Sequence, residues 1–244
     1  MIFVPGKEQY DFEEGQVILI DKPLKWTSFD VVNKVRYLLK NQFGLKKIKV
    51  GHAGTLDPLA TGLLIICTGK FTKQIESFQA SNKEYVGTFM VGATTPSFDR
   101  ETEVDQTFET TGITKEKVES VLSTFVGEQD QIPPIFSAKQ IGGQRAYVAA
   151  RKGHDVELKP SRINIESLEL IDYSFPLVTV KIKCSKGTYI RALARDFGER
   201  LGSGAYLHDL RRTASGNFSL NDAIDILDFE KIIKNLKPLA EQNV

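Results

Sequence analysis

Residues 51–62, GHAGTLDPLATG, carry the group in this chain best placed to do chemistry, the carboxylate of Asp57. The glycines let the backbone bend, and Pro58 keeps Asp57 out of the helical region. The apolar run LLIIC at 63–67 follows at once and predicts a buried strand. A lone acid on an ordered turn beside a rigid strand could act as a nucleophile or as a base. The alternative is a carboxylate that only shapes an Asp-Pro turn.

The composition of the 244-residue chain is that of a globular protein, with 41% hydrophobic and 26% charged residues. No apolar run reaches the length of a membrane span, and residues 1–15 lack the order of a secretory signal. We therefore expect a cytoplasmic protein. Cys67 and Cys184 are predicted to be buried free thiols. No metal site is predicted, because the histidines and cysteines lie far apart and show no ligand spacing.

The net charge of +1 conceals an uneven distribution along the chain. Residues 22–50 carry eight Lys or Arg against one Asp, residues 181–212 carry eight against three acids, and residues 131–162 carry six against two. Residues 98–130 carry three basic and nine acidic side chains. Basic segments that converge on one face would bind nucleic acid by releasing counterions. Solvated surfaces with unrelated orientations are the alternative.

Strands and helices alternate around the 51–62 turn. A strand at 16–21 leads into a helix that Thr27 or Ser28 caps. Hydrophobic patterning predicts further strands at 83–92, 162–171 and 177–184, and helices at 71–79, 114–126 and 188–201. Helices mixed with many sequence-adjacent strands predict an α/β (α+β mixed) domain with a largely antiparallel central sheet.

Five segments resemble the motifs of one enzyme family. GHAGTLDPLATGLL, from residue 51, resembles the catalytic-aspartate motif of the TruB family of tRNA pseudouridine synthases. The other segments similar to family motifs are DKP at 21–23 with TSFD at 27–30, NKEY at 82–85, CSKGTYIR at 184–191 and HDLRRT at 208–213. Lys25 stands where the family usually has glycine, a departure that bears on the local turn. The resemblance covers nearly the whole chain.

The resemblance implies the pseudouridine synthase fold in a single catalytic domain, residues 1–244. Residues 131–153 resemble the family's inserted thumb, which folds over the T-loop of tRNA; a surface hairpin and helix are the alternative. Many bacterial relatives continue into a C-terminal RNA-binding domain of the PUA type. Residues 219–244 are too few for such a domain, so a short helical tail is expected in its place.

The activity that the resemblance implies is isomerisation of uridine-55 in the T-loop of tRNA to pseudouridine. This reaction only moves the base from an N1 to a C5 linkage, so neither a cofactor nor a metal is expected. Asp57 would be the catalytic carboxylate and Arg191 its counter-ion. Tyr85 would stack on the base, and Tyr189 could relay a proton at C5. The alternatives are a core tyrosine at 85 and a surface cation at 191.

The remaining candidate residues are expected to hold the RNA or shape the pocket. His52 resembles a family histidine that helps to turn the target nucleotide outward; a structural histidine is the alternative. By the same resemblance Leu210 would line the pocket, and Arg211 and Arg212 would lie near RNA phosphates. Lys22 would shape the pocket floor or contact backbone. Asp99 would lie near the substrate.

The expected partner is tRNA, bound by a monomer that needs neither membrane nor metal. A non-catalytic tRNA-binding or tRNA-folding chaperone on the same scaffold is the alternative, but a chaperone would not need the set Asp57, Tyr85, Tyr189 and Arg191. A guide-RNA-dependent synthase of a multiprotein particle would resemble a longer chain. An enzyme for small nucleotides would not need the dispersed basic segments.

Overall fold

The computed structural model describes residues 2–6, 10–134, 140–141, 144–145 and 159–236. The chain divides into two compact units, one of Met1–Lys83 with Arg211–Val244 and one of Glu84–Leu210. Most of the predicted thumb, 131–153, lies outside the described residues, as does the end of the predicted tail. The predicted domain organisation therefore stays a prediction.

The elements follow one another as a mixture of strands and helices. In chain order they are β1 (Val17–Lys22), α1 (Ser28–Phe43), β2 (Val50–Ala53), β3 (Ala60–Thr68), α2 (Ile75–Ala80), β4 (Lys83–Val91), β5 (Ala93–Thr94), β6 (Gln106–Thr107), α3 (Lys115–Ser123), β7 (Gly127–Gln131), β8 (Gln140–Ile141), β9 (Gln144–Arg145), β10 (Ser161–Ser174), β11 (Leu177–Cys184), α4 (Ile190–Arg200), β12 (Ala205–Ser215), β13 (Phe218–Ser219), β14 (Ile224–Asp225) and α5 (Ile226–Asn235). Two short 3-10 segments are Gly69–Gln74 and Leu220–Asp222. Most strands belong to a large, mostly antiparallel sheet, which confirms the predicted fold class.

In the first unit, β3 is the central strand and pairs antiparallel with both β1 and β2. The short strand β14 pairs parallel with β1. Helices α1 and α5 bury their apolar faces against one side of β1 and β3, and a second apolar cluster that includes Leu19, Leu63 and Ile65 covers the other side. Burial on both faces explains why residues 63–67 are uninterruptedly apolar. The predicted strand is confirmed and extends to Ala60–Thr68.

Helix α1 begins at a capping box. The Thr27 hydroxyl accepts the backbone N–H of Asp30, and the Asp30 carboxylate accepts the backbone N–H of Thr27. Gly44 ends the helix in the left-handed region at φ 68°. The predicted helix is confirmed, with Thr27 as its cap.

In the second unit, β10 pairs antiparallel with β7 on one side and with β11 on the other. Helix α4 agrees with the prediction for 188–201. Helix α3 ends at Ser123, before the predicted end at residue 126, because the chain turns at Gly127 (φ 110°) into β7.

The fold can be compared with the expectations for residues 71–79 and for the two cysteines. The segment predicted as one helix at 71–79 is a 3-10 segment followed by α2. Cys67 and Cys184 are buried free thiols, as predicted. None of the described helices is both long and apolar enough to cross a membrane. No group of three or more His, Cys, Asp or Glu that could hold a metal ion occurs in the part of the chain that the structure describes.

Candidate active site

Asp57 lies half-buried in the turn that joins β2 to β3. Its backbone carbonyl accepts the N–H of Ala60 at 3.0 Å, which closes the turn at the first residue of β3. The carboxylate is therefore carried on a short, hydrogen-bonded connection between two paired strands. Such an anchorage limits how far a reactive group can drift from its working position.

Ser28, the first residue of α1, clamps this turn from the helix side. Its hydroxyl oxygen accepts the backbone N–H of Leu56 at 2.8 Å, and the hydroxyl also donates to the carbonyl of Leu56 at 3.1 Å. Both residues are buried. Sequence reasoning treated Ser28 only as a possible helix cap. Thr27 is the cap. A helix cap needs one hydroxyl side chain, so the presence of two neighbouring ones was the sequence signal that Ser28 has a separate role.

Lys25 holds the turn from the other side. Its backbone N–H donates to the carbonyl of Pro58 at 2.8 Å, and its φ of 68° lies in the left-handed region. The family that the sequence resembles usually has glycine at this position. In this chain a lysine adopts the left-handed backbone conformation that glycine favours. The conformation costs about 1–2 kcal/mol for a residue that carries a Cβ.

Lys22 places a buried cation in the electrostatic neighbourhood of Asp57. Its ammonium group donates to the backbone carbonyls of Pro23 and Trp26, and the residue is fully buried. Burial lowers the pKa of Lys22 to about 8, the carboxylates of Asp57 and Asp30 counteract that shift, and the guanidinium of Arg212 adds to it. The ammonium thus contacts backbone, and its charge interacts with that of Asp57.

Arg212 is buried inside the first unit, with 1% of its surface exposed. Its Nε donates to the carbonyl of Leu63 at 2.7 Å and its Nη2 to the carbonyl of Gly54 at 3.0 Å, so it ties together the two ends of the Asp57 motif. A Cβ at Gly62 would lie 2.3 Å from the backbone oxygen of Arg212, which explains why that position is glycine. The guanidinium donates to backbone carbonyls inside the fold, and the phosphate contact expected of Arg212 stays a prediction.

Arg211 differs from its neighbour in that it is exposed. It forms a bidentate ion pair with Asp21, with Nη2 2.6 Å from Oδ2 and Nη1 3.1 Å from Oδ1. Its exposure is compatible with the phosphate contact expected from sequence, which stays a prediction.

His52 lies on β2, opposite Ile66 of β3. Burial lowers the pKa of His52 most, the positive charge of Arg212 lowers it further, and a backbone hydrogen bond at Gly54 acts in the opposite direction. Among the atoms that the structure describes, its buried Nδ1 has no hydrogen-bond partner. Burial and the charge of Arg212 thus favour the neutral form of the ring.

In the second unit, Arg191 and Asp99 form a buried ion pair. Nε of Arg191 lies 3.6 Å from Oδ2 of Asp99, and Nη1 donates to the carbonyl of Ser97 at 3.3 Å. Asp99 in turn accepts the Ser97 hydroxyl at 2.6 Å and the N–H of Glu101 at 2.9 Å. The alternative that Arg191 is a surface cation is thus excluded. A buried pair needs such additional hydrogen bonds to offset the desolvation of both charges.

Tyr189 occupies the N-cap position of α4, and its backbone is held by a side chain from β7. The amide oxygen of Gln131 accepts the N–H of Tyr189 at 2.8 Å, and the amide nitrogen donates to its carbonyl at 3.1 Å. Gln131 is buried. Sequence reasoning did not select Gln131 as a site residue, because nothing in its local pattern shows that it reaches a helix 58 positions away.

Tyr85 lies on the buried face of β4, on the same side as Gly87 two residues further along. Leu210 of β12 lies near the same face of β4, since its Cδ1 would be in ordinary contact, at 3.5 Å, with a Cβ placed on Gly87. Two of the predicted pocket residues, Tyr85 and Leu210, thus belong to the second unit and lie near Gly87 of β4. Asp57 and Arg191 belong to different units, and their pairing stays a prediction.

Comparison with known families decides the assignment. The model of the TruB family pseudouridylate synthase N-terminal domain matches residues 40–190, more than half of the chain. The chain belongs to the TruB family. A second TruB model, that of the tRNA pseudouridylate synthase B C-terminal domain, matches residues 191–242.

Similar sequences support TruB membership over nearly the whole length. The chain is 57% identical to the tRNA pseudouridine synthase B of Phocaeicola vulgatus, over 90% of this chain and 93% of that protein. It is 55% identical to the protein of the same name from Bacteroides fragilis, over 91% of this chain and 96% of that protein.

Solved structures show the same fold. A chain in the crystal structure of a Cbf5-Nop10-Gar1 complex matches with a TM-score of 0.70 and 26% identity over 94% of this chain, which spans 58% of that longer chain. A structure of an H/ACA RNP bound to a substrate RNA containing 2′-deoxyuridine matches with a TM-score of 0.66 and 24% identity, over 93% of this chain and 60% of that one. The pseudouridine synthase fold expected from the TruB motifs is therefore confirmed.

Proposed function

We propose that this TruB-family enzyme isomerises uridine-55 in the T-loop of tRNA to pseudouridine. The main support for the proposal is the set of hydrogen bonds around Asp57, in which Ser28, Lys25 and Arg212 each bind the backbone of its motif. A carboxylate that only shaped its own turn would not need three separate anchors. The relatives more than 50% identical to the chain, named tRNA pseudouridine synthase B, support tRNA as the substrate.

The chemistry assigned to Asp57 is the exchange of one glycosidic bond for another. The bond from N1 to the ribose breaks, the base turns, and a bond from C5 to the ribose forms. C5 loses its proton and N1 gains one, so atoms and electrons balance without an oxidant or a second substrate. Asp57 acts either as a nucleophile or as the base that removes a ribose proton, and both roles require the ionised carboxylate.

Cations near Asp57 would keep it ionised in a pocket that excludes water. Lys22 supplies one positive charge near the motif. The charge of Asp57 raises the pKa of Lys22 and so partly offsets the effect of burial. We assign Arg191 as the counter-ion that faces the reaction, with Asp99 holding its guanidinium in position. A guanidinium suits this role because it stays charged at every working pH.

The other assigned residues act on the base and on the RNA around it. Extruding a stacked uridine costs a few kcal/mol, which stacking on Tyr85 would offset. Leu210 would form an apolar wall beside Tyr85, and Tyr189 would transfer the proton at C5. His52 would help to turn the target nucleotide outward.

The position of the modified base tests this proposal directly. A tRNA transcript labelled with tritium at C5 of uridine is incubated with the enzyme, and pseudouridine is mapped by carbodiimide modification and primer extension. We expect tritium release, and we expect primer extension to map pseudouridine to position 55 alone. A transcript with cytidine at position 55 should release no tritium. Release at another position would contradict the T-loop assignment. Binding of tRNA without tritium release would instead support the alternative of a non-catalytic tRNA-binding chaperone.

A further inference from the structure

Helix α1 presents an unusual outward face. Phe29, Asn33, Arg36 and Lys40 recur at spacings of four, three and four residues, so they form one stripe along a flank of the helix, beside its buried face. Phe29 is 58% exposed and Tyr37, at the edge of the stripe, is 60% exposed. Two large aromatic side chains on the solvent face of one short helix are a feature that folding alone does not require.

The cation at the centre of this stripe is held in place. The guanidinium carbon of Arg36 lies 6.0 Å from the centre of the Phe29 ring, within the range of a cation–π contact. Nη1 donates to Oδ1 of Asn33 at 2.8 Å, and Nη2 donates to the carbonyl of Val50 at 3.1 Å. Ring and guanidinium thus form an ordered platform on the helix surface.

The platform lies beside the Asp57 motif. Phe29 directly follows Ser28, which clamps Leu56, and Arg36 binds Val50, the residue at which β2 begins. From that end the stripe runs along α1 to Lys40 over about 16 Å, at about 1.5 Å per residue. An RNA that delivers its uridine to Asp57 has flanking nucleotides within this distance.

The charge around the stripe suits an RNA backbone. Residues 28–50 carry six Lys or Arg and one acid, Asp30, which is engaged in the capping box of α1. Lys40, Lys46, Lys47 and Lys49 are exposed. An aromatic plane stacks on any base and cations bind phosphates, so this combination fits single-stranded nucleic acid.

We propose that the Phe29–Arg36–Lys40 stripe is a second RNA-binding surface, separate from the pocket that takes the target uridine. Phe29 stacks on an unpaired base of the tRNA, and Arg36 and Lys40 bind phosphates beside it. This inference rests on the proposed function, because it takes tRNA as the bound RNA. The stripe adds affinity for nucleotides that do not react.

The test compares binding of unmodified tRNA by the full-length wild type and by variants. Phe29→Ala should raise the Kd about 5- to 150-fold, the range that loss of one stacked base produces. Leu227→Ala is the matched control, since Leu227 is 59% exposed on α5 and should leave the Kd unchanged. Lys40→Gln should lower the slope of log Kd against log salt concentration by about 0.7–0.9, the effect of one phosphate contact. Lys40 is chosen because Arg36 also holds Val50.

The outcomes separate this inference from the proposed function. Wild-type enzyme that releases tritium from position 55, together with unchanged Kd and salt slope in Phe29→Ala and Lys40→Gln, overturns the second surface alone. A change in molecular mass by light scattering in Phe29→Ala, with an unchanged Kd, would assign the stripe to self-association and also overturn it. Failure of the wild type to release tritium would instead contradict the proposed function.

Discussion

The side-chain amide of Gln131 binds both backbone polar groups of Tyr189, with hydrogen bonds of 2.8 Å to the N–H and 3.1 Å from the amide nitrogen to the carbonyl. Tyr189 is the N-cap residue of α4 and has no side-chain cap of its own. Arg191 follows on the first turn of that helix. One buried glutamine at the end of β7 therefore fixes the point from which two of the proposed catalytic side chains depart.

Replacing Gln131 by Ala should lower kcat more than it raises KM. The two hydrogen bonds position Tyr189 and Arg191 and do not touch RNA, so their loss affects the reacting geometry. The free energy of unfolding should fall by about 1 kcal/mol, because partly buried backbone groups lose a hydrogen-bond partner. Steady-state kinetics and urea unfolding measure the two effects. Gln129→Ala, on the same strand, is the control and should keep wild-type kcat; an unchanged kcat in Gln131→Ala would contradict the positioning role.

Ser28→Ala should loosen the Asp57 turn while α1 keeps its Thr27 cap. Leu56 would lose partners for both its N–H and its carbonyl, which are buried, at a cost of about 1–3 kcal/mol. We expect a lower melting temperature and a lower rate of pseudouridine formation. Ser77→Ala removes an exposed hydroxyl that bonds only within its own turn and should change neither. A Ser28→Ala enzyme with full activity would show that the turn keeps its geometry without the clamp.

Lys25→Gly should stabilise the protein. Glycine relieves the left-handed strain of about 1–2 kcal/mol but increases the entropy of the unfolded chain by about 0.4–1 kcal/mol. The free energy of unfolding should therefore rise by about 0.5–1 kcal/mol. Lys46→Gly is a suitable control because Lys46 is not in the left-handed region, so only the entropic loss applies and the variant should be less stable. Destabilisation by Lys25→Gly would show that the lysine side chain contributes more than its backbone strain costs.

Lys22 should make stability depend on pH in the alkaline range. Its pKa falls from 10.5 in the unfolded chain to about 8 in the fold, so between these values the unfolded state binds more protons. Stability therefore rises with pH there, by up to about 1.4 kcal/mol per pH unit. Burial raises the pKa of Cys67 from 9.0 to about 11, which acts in the opposite direction over that higher range. The difference in unfolding free energy between wild type and Lys22→Met, measured from pH 7 to 10, isolates the lysine; a pH-independent difference would contradict the shift.

The parts of the fold predicted correctly from sequence depend on local interactions. Helix α1 follows from its capping box and its apolar spacing, and β3 follows from a continuous apolar run bounded by glycine. Both signals lie within a few residues of the structure that they specify. The Asp57 turn is likewise predicted by its own glycines and Pro58, whereas the catalytic role of Asp57 was predicted from the resemblance to the TruB family.

The features that sequence reasoning missed depend on partners distant along the chain. Composition favours exposure for any arginine, yet Arg212 is buried because the backbone carbonyls of Leu63 and Gly54 receive its donors. The charged segment 208–213 has no strand pattern, but it forms part of β12, where sheet pairing overrides local preference. Gln131 and Ser28 likewise gain their roles only when distant elements meet.

The ionised carboxylate of Asp57 is the central claim, and Asp57→Asn tests it most directly. The variant keeps the size and shape of the side chain, so the turn should fold and tRNA should bind with a Kd close to that of the wild type. Tritium release from C5 of uridine-55 is measured under single-turnover conditions with saturating enzyme. The account predicts no detectable release from bound tRNA, and release at the wild-type rate would contradict it.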